Sequence, residues 1–256
     1  MPTPSTPRRP QRDHPVADAA ARRLPSRLGA YGALWITLAI GAAFVTLMTA
    51  AAAEIYESLA EKDDLAAVDR PLLALVMTWR SPVADTAVTW FTNTGSVIGM
   101  SIIALAAIAV LTRIRRSWRP LLLIGAAGAG SVAMTIAGKD LIGRARPPMA
   151  DAVPPYETSP SFPSGHTLNA TAIIAVIAYL WFLQLEARAA RAWMIAGCAA
   201  YVFLIGCSRI YLGHHWFTDV AVAWALGLGW AALVVLSHHV FNTVRRVRRE
   251  QDPKRL

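Results

Sequence analysis

SVIGMSIIALAAIAVLTRIRRSWRPLLLIGAAGAGSVAMTIAGK, residues 96–139, holds two apolar runs separated by a short arginine-rich turn. Each run is close to the roughly 20 residues that a helix needs to cross a bilayer core. The arginines sit where a chain re-entering the membrane would place them. The same pattern recurs outward in both directions. Apolar spans are predicted near 30–53, 96–112, 120–138, 166–184, 192–208 and 216–237, each with few or no internal charges. The chain has 256 residues, 55% of them hydrophobic and 16% charged, which is too apolar for an ordinary soluble domain. A soluble helical bundle is the alternative that this composition disfavours. The expected fold is all-α, a six-transmembrane helical bundle.

The formal net charge of +9 invites a nucleic-acid reading, but its distribution points elsewhere. Arg8, Arg9, Arg12, Arg22, Arg23 and Arg27 precede the first span, and Arg113, Arg115, Arg116 and Arg119 fill the turn between spans two and three. Arg188 and Arg191 lie between spans four and five, and Arg245, Arg246, Arg248, Arg249, Lys254 and Arg255 follow span six. With six spans these segments share one side, and they hold most of the 25 lysines and arginines. Positive loops stay cytoplasmic, so both termini are expected inside, in a multi-pass cell-membrane protein. The opposite side carries acids that include Glu54, Glu57, Glu61, Asp63, Asp64 and Asp69. The expected partners are the bilayer and a membrane lipid, with no nucleic acid.

Residues 1–28, rich in Pro, Arg and Ala, are expected to be a disordered cytoplasmic tail, 29–240 the six-span domain, and 241–256 a basic tail. The amino end also resembles a signal peptide ending in TAAAAE, but the apolar run from Tyr31 to Ala53 is long for such a segment and suits a full span. Between spans one and two, 71–80 and 83–91 are too short to span. They are expected to be extracytoplasmic interfacial helices anchored by Trp79 and Trp90. The loop 147–163 is dense in proline and is expected to be irregular. Cys198 and Cys207, nine residues apart in span five, point to opposite helix faces and carry no metal or redox spacing.

Three short stretches fall on the side away from the arginines. KDLIGRARP places Arg146 after Lys139 with six residues between them, PSGH covers Pro163 to His166, and SRIYLGHHWFTD contains Arg209, His215 and Asp219. Lys139, Arg146 and Arg209 are three cations near one membrane surface, and arginine forks match phosphate oxygens. Ser164 and Gly165 stand at a helix start, where free N–H groups favour an anion. His215 and Asp219 are four apart and are expected to be neighbours on one helical face. The carboxylate would then fix the ring tautomer and leave the other nitrogen free to attack, with His166 available as a general acid. Taken singly, each of these has a duller reading, as a snorkelling cation, an N-cap or a structural histidine. Their convergence on one face is what makes them candidates. His214, His238 and His239 are given no role.

Lys-x6-Arg-Pro, Pro-Ser-Gly-His and Ser-Arg-x5-His-x3-Asp, in this order and spacing, resemble the type 2 phosphatidic acid phosphatase (PAP2) superfamily, in its membrane lipid phosphatase branch. The resemblance implies His215 as a nucleophile forming a phosphohistidine, Asp219 orienting it, and His166 as acid and then base. It implies Lys139, Arg146, Ser164, Gly165 and Arg209 as the phosphate cradle, with no metal and no cofactor. The implied substrates are lipid phosphates or diphosphates, such as undecaprenyl diphosphate, phosphatidate or phosphatidylglycerol phosphate. A lipid phosphotransferase would use the same site with another acceptor. A non-enzymatic lipid-binding or transport protein leaves the His/Asp pair unexplained. A haloperoxidase is disfavoured by the six spans.

Overall fold

The computed structural model describes residues 30–61 and 67–250. The chain forms α1 (Ala30–Glu61), α2 (Asp69–Met77), α3 (Pro82–Asn93), α4 (Val97–Arg115), α5 (Arg119–Ile142), α6 (Gly165–Phe182), α7 (Arg188–Tyr211) and α8 (Phe217–Glu250). Six of these are long and apolar enough to cross a membrane: Leu34–Ser58, Val97–Arg115, Arg119–Ile142, Gly165–Phe182, Arg188–Tyr211 and Phe217–Arg245. The protein is an all-helical, multi-pass membrane bundle. The expected 1–28 tail lies outside the described residues, as do 251–256, while α8 continues past residue 240 to Glu250.

α6 is the central helix. It packs against α4, α5, α7 and α8, while α1 lies along α8. Its residues from Thr167 to Ile174 are all buried, as are Val176, Ile177 and Leu180. A helix that is apolar all round must be covered all round, and small residues let its neighbours close in. Lipid tails are as apolar as leucine, so packing rather than water exclusion drives helix association here. Ala170, Ala172, Ala223 and Ala231 are buried at these contacts, beside Met100, Leu111, Ile124, Val176, Leu180 and Ile205. The periphery is the reverse: Trp35, Ile40, Leu47, Ile98, Ile102 and Leu105 are large, apolar and exposed, as a surface facing lipid requires.

The predicted short helices 71–80 and 83–91 are observed as α2 and α3. Ser81 caps α3 by accepting from the Ala84 N–H at 3.3 Å, with Pro82 in its first turn. Trp79 and Trp90 are exposed. Arg80 ties this segment to the site end of the bundle, donating from Nε to the Tyr211 carbonyl at 2.8 Å and from Nη1 to the Asp151 carbonyl at 2.7 Å. The connection after α5 is irregular apart from a single 3₁₀ turn, Met149–Asp151.

That connection is pinned to α5 at Gly138, where an added Cβ would stand 2.4 Å from Pro163 Cδ. Nothing lies within 4 Å of the same atom at Gly125, earlier in α5. Gly138→Ala is therefore expected to cost about 1–3 kcal/mol through overpacking. Gly125→Ala should be neutral or slightly stabilising. Thermal unfolding of the two variants in one detergent checks the contrast.

Candidate functional site

Lys139 lies in the last turn of α5, which Gly143 closes in the left-handed conformation, its N–H reaching the Lys139 carbonyl. Ser164 is the N-cap of α6, Arg209 lies in the last turn of α7, and Asp219 is in the first turn of α8. All four elements end together with the 143–164 connection, at the opposite end of the spans from the Arg113–Arg119 turn. Gly213, at φ +70°, turns the chain between α7 and α8. A Cβ there would stand 2.3 Å from the Asp151 carbonyl oxygen.

The His215/Asp219 pair forms, but not on a helical face. α8 begins at Phe217, so His215 lies in the turn before it. Asp219 reaches back to cap its own helix, Oδ2 accepting from the Trp216 N–H at 3.0 Å, and this brings Oδ2 to 3.6 Å from His215 Nδ1. The capping preference of aspartate in a first turn, rather than i,i+4 stacking, makes the contact. Ser161 joins them: its hydroxyl donates to Asp219 Oδ2 at 2.5 Å and lies 3.4 Å from His215 Nδ1. On the other side of the ring, Arg146 Nη1 donates to His215 Nε2 at 3.2 Å. An arginine can only donate, so Nε2 carries the lone pair and Nδ1 the proton. The ring is buried. Burial lowers its pKa to about 4, with Arg209 and Arg146 assisting against Asp219. It is neutral at physiological pH.

The cations are brought together by a residue that the sequence reading did not single out. The Glu157 carboxylate bridges Arg209, through Oε1, and Arg146, through Oε2 at 2.7 Å. Burial alone would raise its pKa, but Arg209, His215, Arg146 and His166 outweigh that and hold it at about 2. Arg209 is 1% exposed and also donates to Thr92 Oγ1 at 3.4 Å. Arg146 donates further to the Ser159 and His214 carbonyls at 2.6 and 2.5 Å. Lys139 Nζ donates to Ser159 Oγ at 2.9 Å and to the Pro160 carbonyl at 2.5 Å, so it flanks Arg146 through shared loop partners. A cavity of about 490 Å³, lined among others by Arg146, Met149, Tyr156, Glu157 and His214, opens beside this cluster.

Ser164 is fully buried, its N–H on the Asp219 carbonyl at 3.3 Å and its hydroxyl paired with Thr167 at 3.0 Å. Gly165 packs closely on α5, where an added Cβ would lie 3.1 Å from Thr135 Cγ2. His166 is half-buried one residue further on. His214 donates from Nε2 to the Val153 carbonyl at 2.7 Å, bracing the loop. Beyond Glu157, the residues missed are Ser161, Arg144 and Asp69. Arg144 Nη1 meets Asp219 Oδ1 at 2.5 Å and Nη2 meets Asp69 at 2.7 Å.

The structure is thus a six-span helical membrane bundle with histidine, carboxylate and paired guanidiniums gathered at one end. The family model of the PAP2 superfamily matches residues 116–243, and the chain belongs to that superfamily. It is 40% identical over 119 residues to phosphatidylglycerophosphatase B of Bacillus subtilis (strain 168), a match covering 44% of this chain and 55% of that protein. The chain thus spans about half the length of that curated relative. It is also similar to the crystal structure of the transmembrane PAP2 type phosphatidylglycerolphosphate phosphatase from Bacillus subtilis, with 27% identity and a TM-score of 0.64 over 76% of this chain and 93% of that one. The crystal structure of Aquifex aeolicus LpxE, at 24% identity and a TM-score of 0.53 over 66% of this chain and 94% of that one, shares the fold.

An incoming anion must displace Glu157 to reach both arginines. Glu157→Gln removes the competing charge, so the inhibition constant for inorganic phosphate is expected to fall about tenfold, equivalent to about 1.4 kcal/mol. An unchanged or weaker constant would show that Glu157 braces the arginines without competing for them.

Proposed function

We propose that this chain is an integral membrane phosphatase that removes phosphate from a lipid phosphate or diphosphate through a phosphohistidine intermediate. The observation that carries this reading is the anionic Glu157 held between Arg146 and Arg209, beside the lone pair of His215 Nε2. A phosphoryl group in that position would have its oxygens on the two guanidiniums and its phosphorus facing the nitrogen. His215 Nε2 attacks phosphorus, the ester P–O bond breaks, and His166 gives its proton to the leaving oxygen. Water then attacks the phosphorus, His166 takes the water proton, the P–N bond breaks and phosphate leaves. Asp219 holds Nδ1–H and stabilises the charge that the ring acquires. Lys139, Arg146, Arg209 and the Gly165 N–H at the start of α6 receive the charge that builds on the phosphoryl oxygens, while the Ser164 N–H is already given to the Asp219 carbonyl. Such fixed electrostatics suit an ester whose uncatalysed hydrolysis is among the slowest known.

A lipid substrate is supported by the spans themselves and by an apolar groove of about 590 Å³ between α6, α7 and α8. The groove starts at Thr171, five residues along α6 from His166 and so about 7.5 Å deeper, where the hydrocarbon chain of a headgroup-anchored lipid would begin. The Bacillus subtilis relatives, both phosphatidylglycerol phosphate phosphatases, make that lipid the first substrate to assay, with phosphatidate and polyprenyl diphosphates beside it.

Phosphate release from this panel by the purified protein and by His215→Ala tests the reading. Activity should vanish in the variant while the thermal midpoint stays close to that of the wild type. Since the neutral His215 ring is the attacking form and its pKa is about 4, kcat/KM should fall as pH drops through about 4, and it should fall again at higher pH where His166 has lost the proton it gives to the leaving oxygen. Turnover that survives in His215→Ala would overturn the assignment.

The site is proposed to face the outside of the cytoplasmic membrane, with both termini inside, because the arginine-rich turns lie at the opposite end of the spans. Single cysteines at Asp151 and Ser117, in a background lacking Cys198 and Cys207, report this. An impermeant thiol reagent applied to intact cells should label position 151 and not 117. The reverse pattern would invert the topology.

A further inference from the structure

We propose that Arg144 and Asp69 are positioning residues for this reaction, acting on His215 through the orientation and field of the Asp219 carboxylate. The proposal rests on the reading of His215 as the nucleophile. Arg144 occupies one of the unspecified positions inside Lys-x6-Arg-Pro, Asp69 lies outside all three motifs, and the two come from distant parts of the chain. Asp69 is the first residue of α2, only 3% exposed. Its Oδ1 accepts from the Thr218 N–H at 3.0 Å, and its Oδ2 accepts from Thr218 Oγ1 and from Arg144 Nη2, both at 2.7 Å. Arg144 Nη1 donates to Asp219 Oδ1 at 2.5 Å and to Thr218 Oγ1 at 2.8 Å. The guanidinium carbon lies 5.7 Å from the centroid of the Trp216 ring, which covers one face of the fork.

Two consequences follow from this geometry. The first is orientation. A carboxylate has two equivalent oxygens, and an unrestrained Asp219 could present either one, or neither, to the imidazole. Arg144 takes Oδ1, so Oδ2 is left to the Trp216 N–H, Ser161 and His215 Nδ1. The second is charge. A lone guanidinium on Asp219 would offset most of the field with which that carboxylate steadies the ring. Asp69 shares the same fork, so two carboxylates divide one positive charge and the group keeps a net negative charge behind His215. The remaining titratable and charged groups facing His215 are Arg146, Arg209, Glu157 and His166. Breaking one member of a buried ion network is costly, and partners that orient metal-ligating histidines change activity about ten- to a hundredfold when removed, a scale we carry over to this oriented imidazole.

The two residues are predicted to shift the pH profile in opposite directions. Arg144→Gln takes a positive charge from beside Asp219, so His215 keeps its proton to higher pH and the acid limb of kcat/KM moves up. Asp69→Asn leaves Arg144 to act on Asp219 alone, so His215 loses its proton more readily and the limb moves down. In both variants kcat for release of phosphate from the best lipid substrate should fall about ten- to a hundredfold. KM and the inhibition constant for inorganic phosphate should stay within about twofold, because the cradle of Lys139, Arg146 and Arg209 is untouched. Arg144→Lys keeps the charge but loses the fork. It should hold the limb at its wild-type position and recover part of kcat. Full-length protein in lipid nanodiscs, with thermal midpoints measured alongside, supplies all these readings, and Asp69→Asn carries the test if Arg144→Gln fails to fold. Wild-type kcat in both variants, or acid limbs that do not part in opposite directions, would overturn the proposal while leaving the phosphatase reading in place. A wild-type protein that releases no phosphate from any lipid would overturn both.

Discussion

The site end of this bundle is organised around one fully buried carboxylate. Asp219 is 0% exposed, and an ionised group removed from water is tolerated only where charge and hydrogen bonds replace the solvent. Those partners come from different parts of the chain: Arg144 and Ser161 from the α5–α6 connection, the Trp216 N–H from the turn before α8, and Asp69 of α2 through Arg144. Satisfying this one group therefore docks α2, seats the loop and shapes the start of α8. His215 is positioned as a by-product of the same capping contact.

The spans were legible because a bilayer imposes length and apolarity in a way that soluble packing does not, and the arginine-rich turns separated them. The helix boundaries that moved did so at their ends. The described span of α1 runs to Ser58 rather than 53, since Glu54 and Glu57 are tolerated at a helix end near the headgroups. The spacing also located the His215/Asp219 contact while misassigning its cause. Four residues imply a shared face only inside a helix, and α8 starts two residues too late for that.

What the sequence left hidden was the set of partners that arrive from far away. Arg144 stands two positions before Arg146, where it reads as one more interfacial cation. Asp69 stood among the acids that mark topology. Glu157 is an acid in a proline-rich loop, and Ser161 looks like an ordinary loop serine. None has a local pattern, because each acquires its meaning only when α2, the loop and α8 meet. The weak signal that did exist is compositional: ionisable residues in segments adjoining apolar spans need partners, but Asp140, four residues before Arg144, was the nearer candidate in sequence than Asp69 or Asp219.

Glu157 completes the electrostatic argument. Arg209 is buried and Arg146 partly so, the two are held close together, and without an anion between them the guanidiniums would repel each other in a low-dielectric pocket. Glu157 supplies that anion from within the chain. Its carboxylate is smaller than a phosphoryl group and carries one charge, whereas a phosphate ester dianion carries two and offers more oxygens to the same donors. Replacement is favoured on charge and hydrogen-bond count together, and Arg209, with its Nε unpartnered, has a donor to spare for it. A site kept assembled by its own weaker anion can thus hold its cations in place and still yield them to a stronger one.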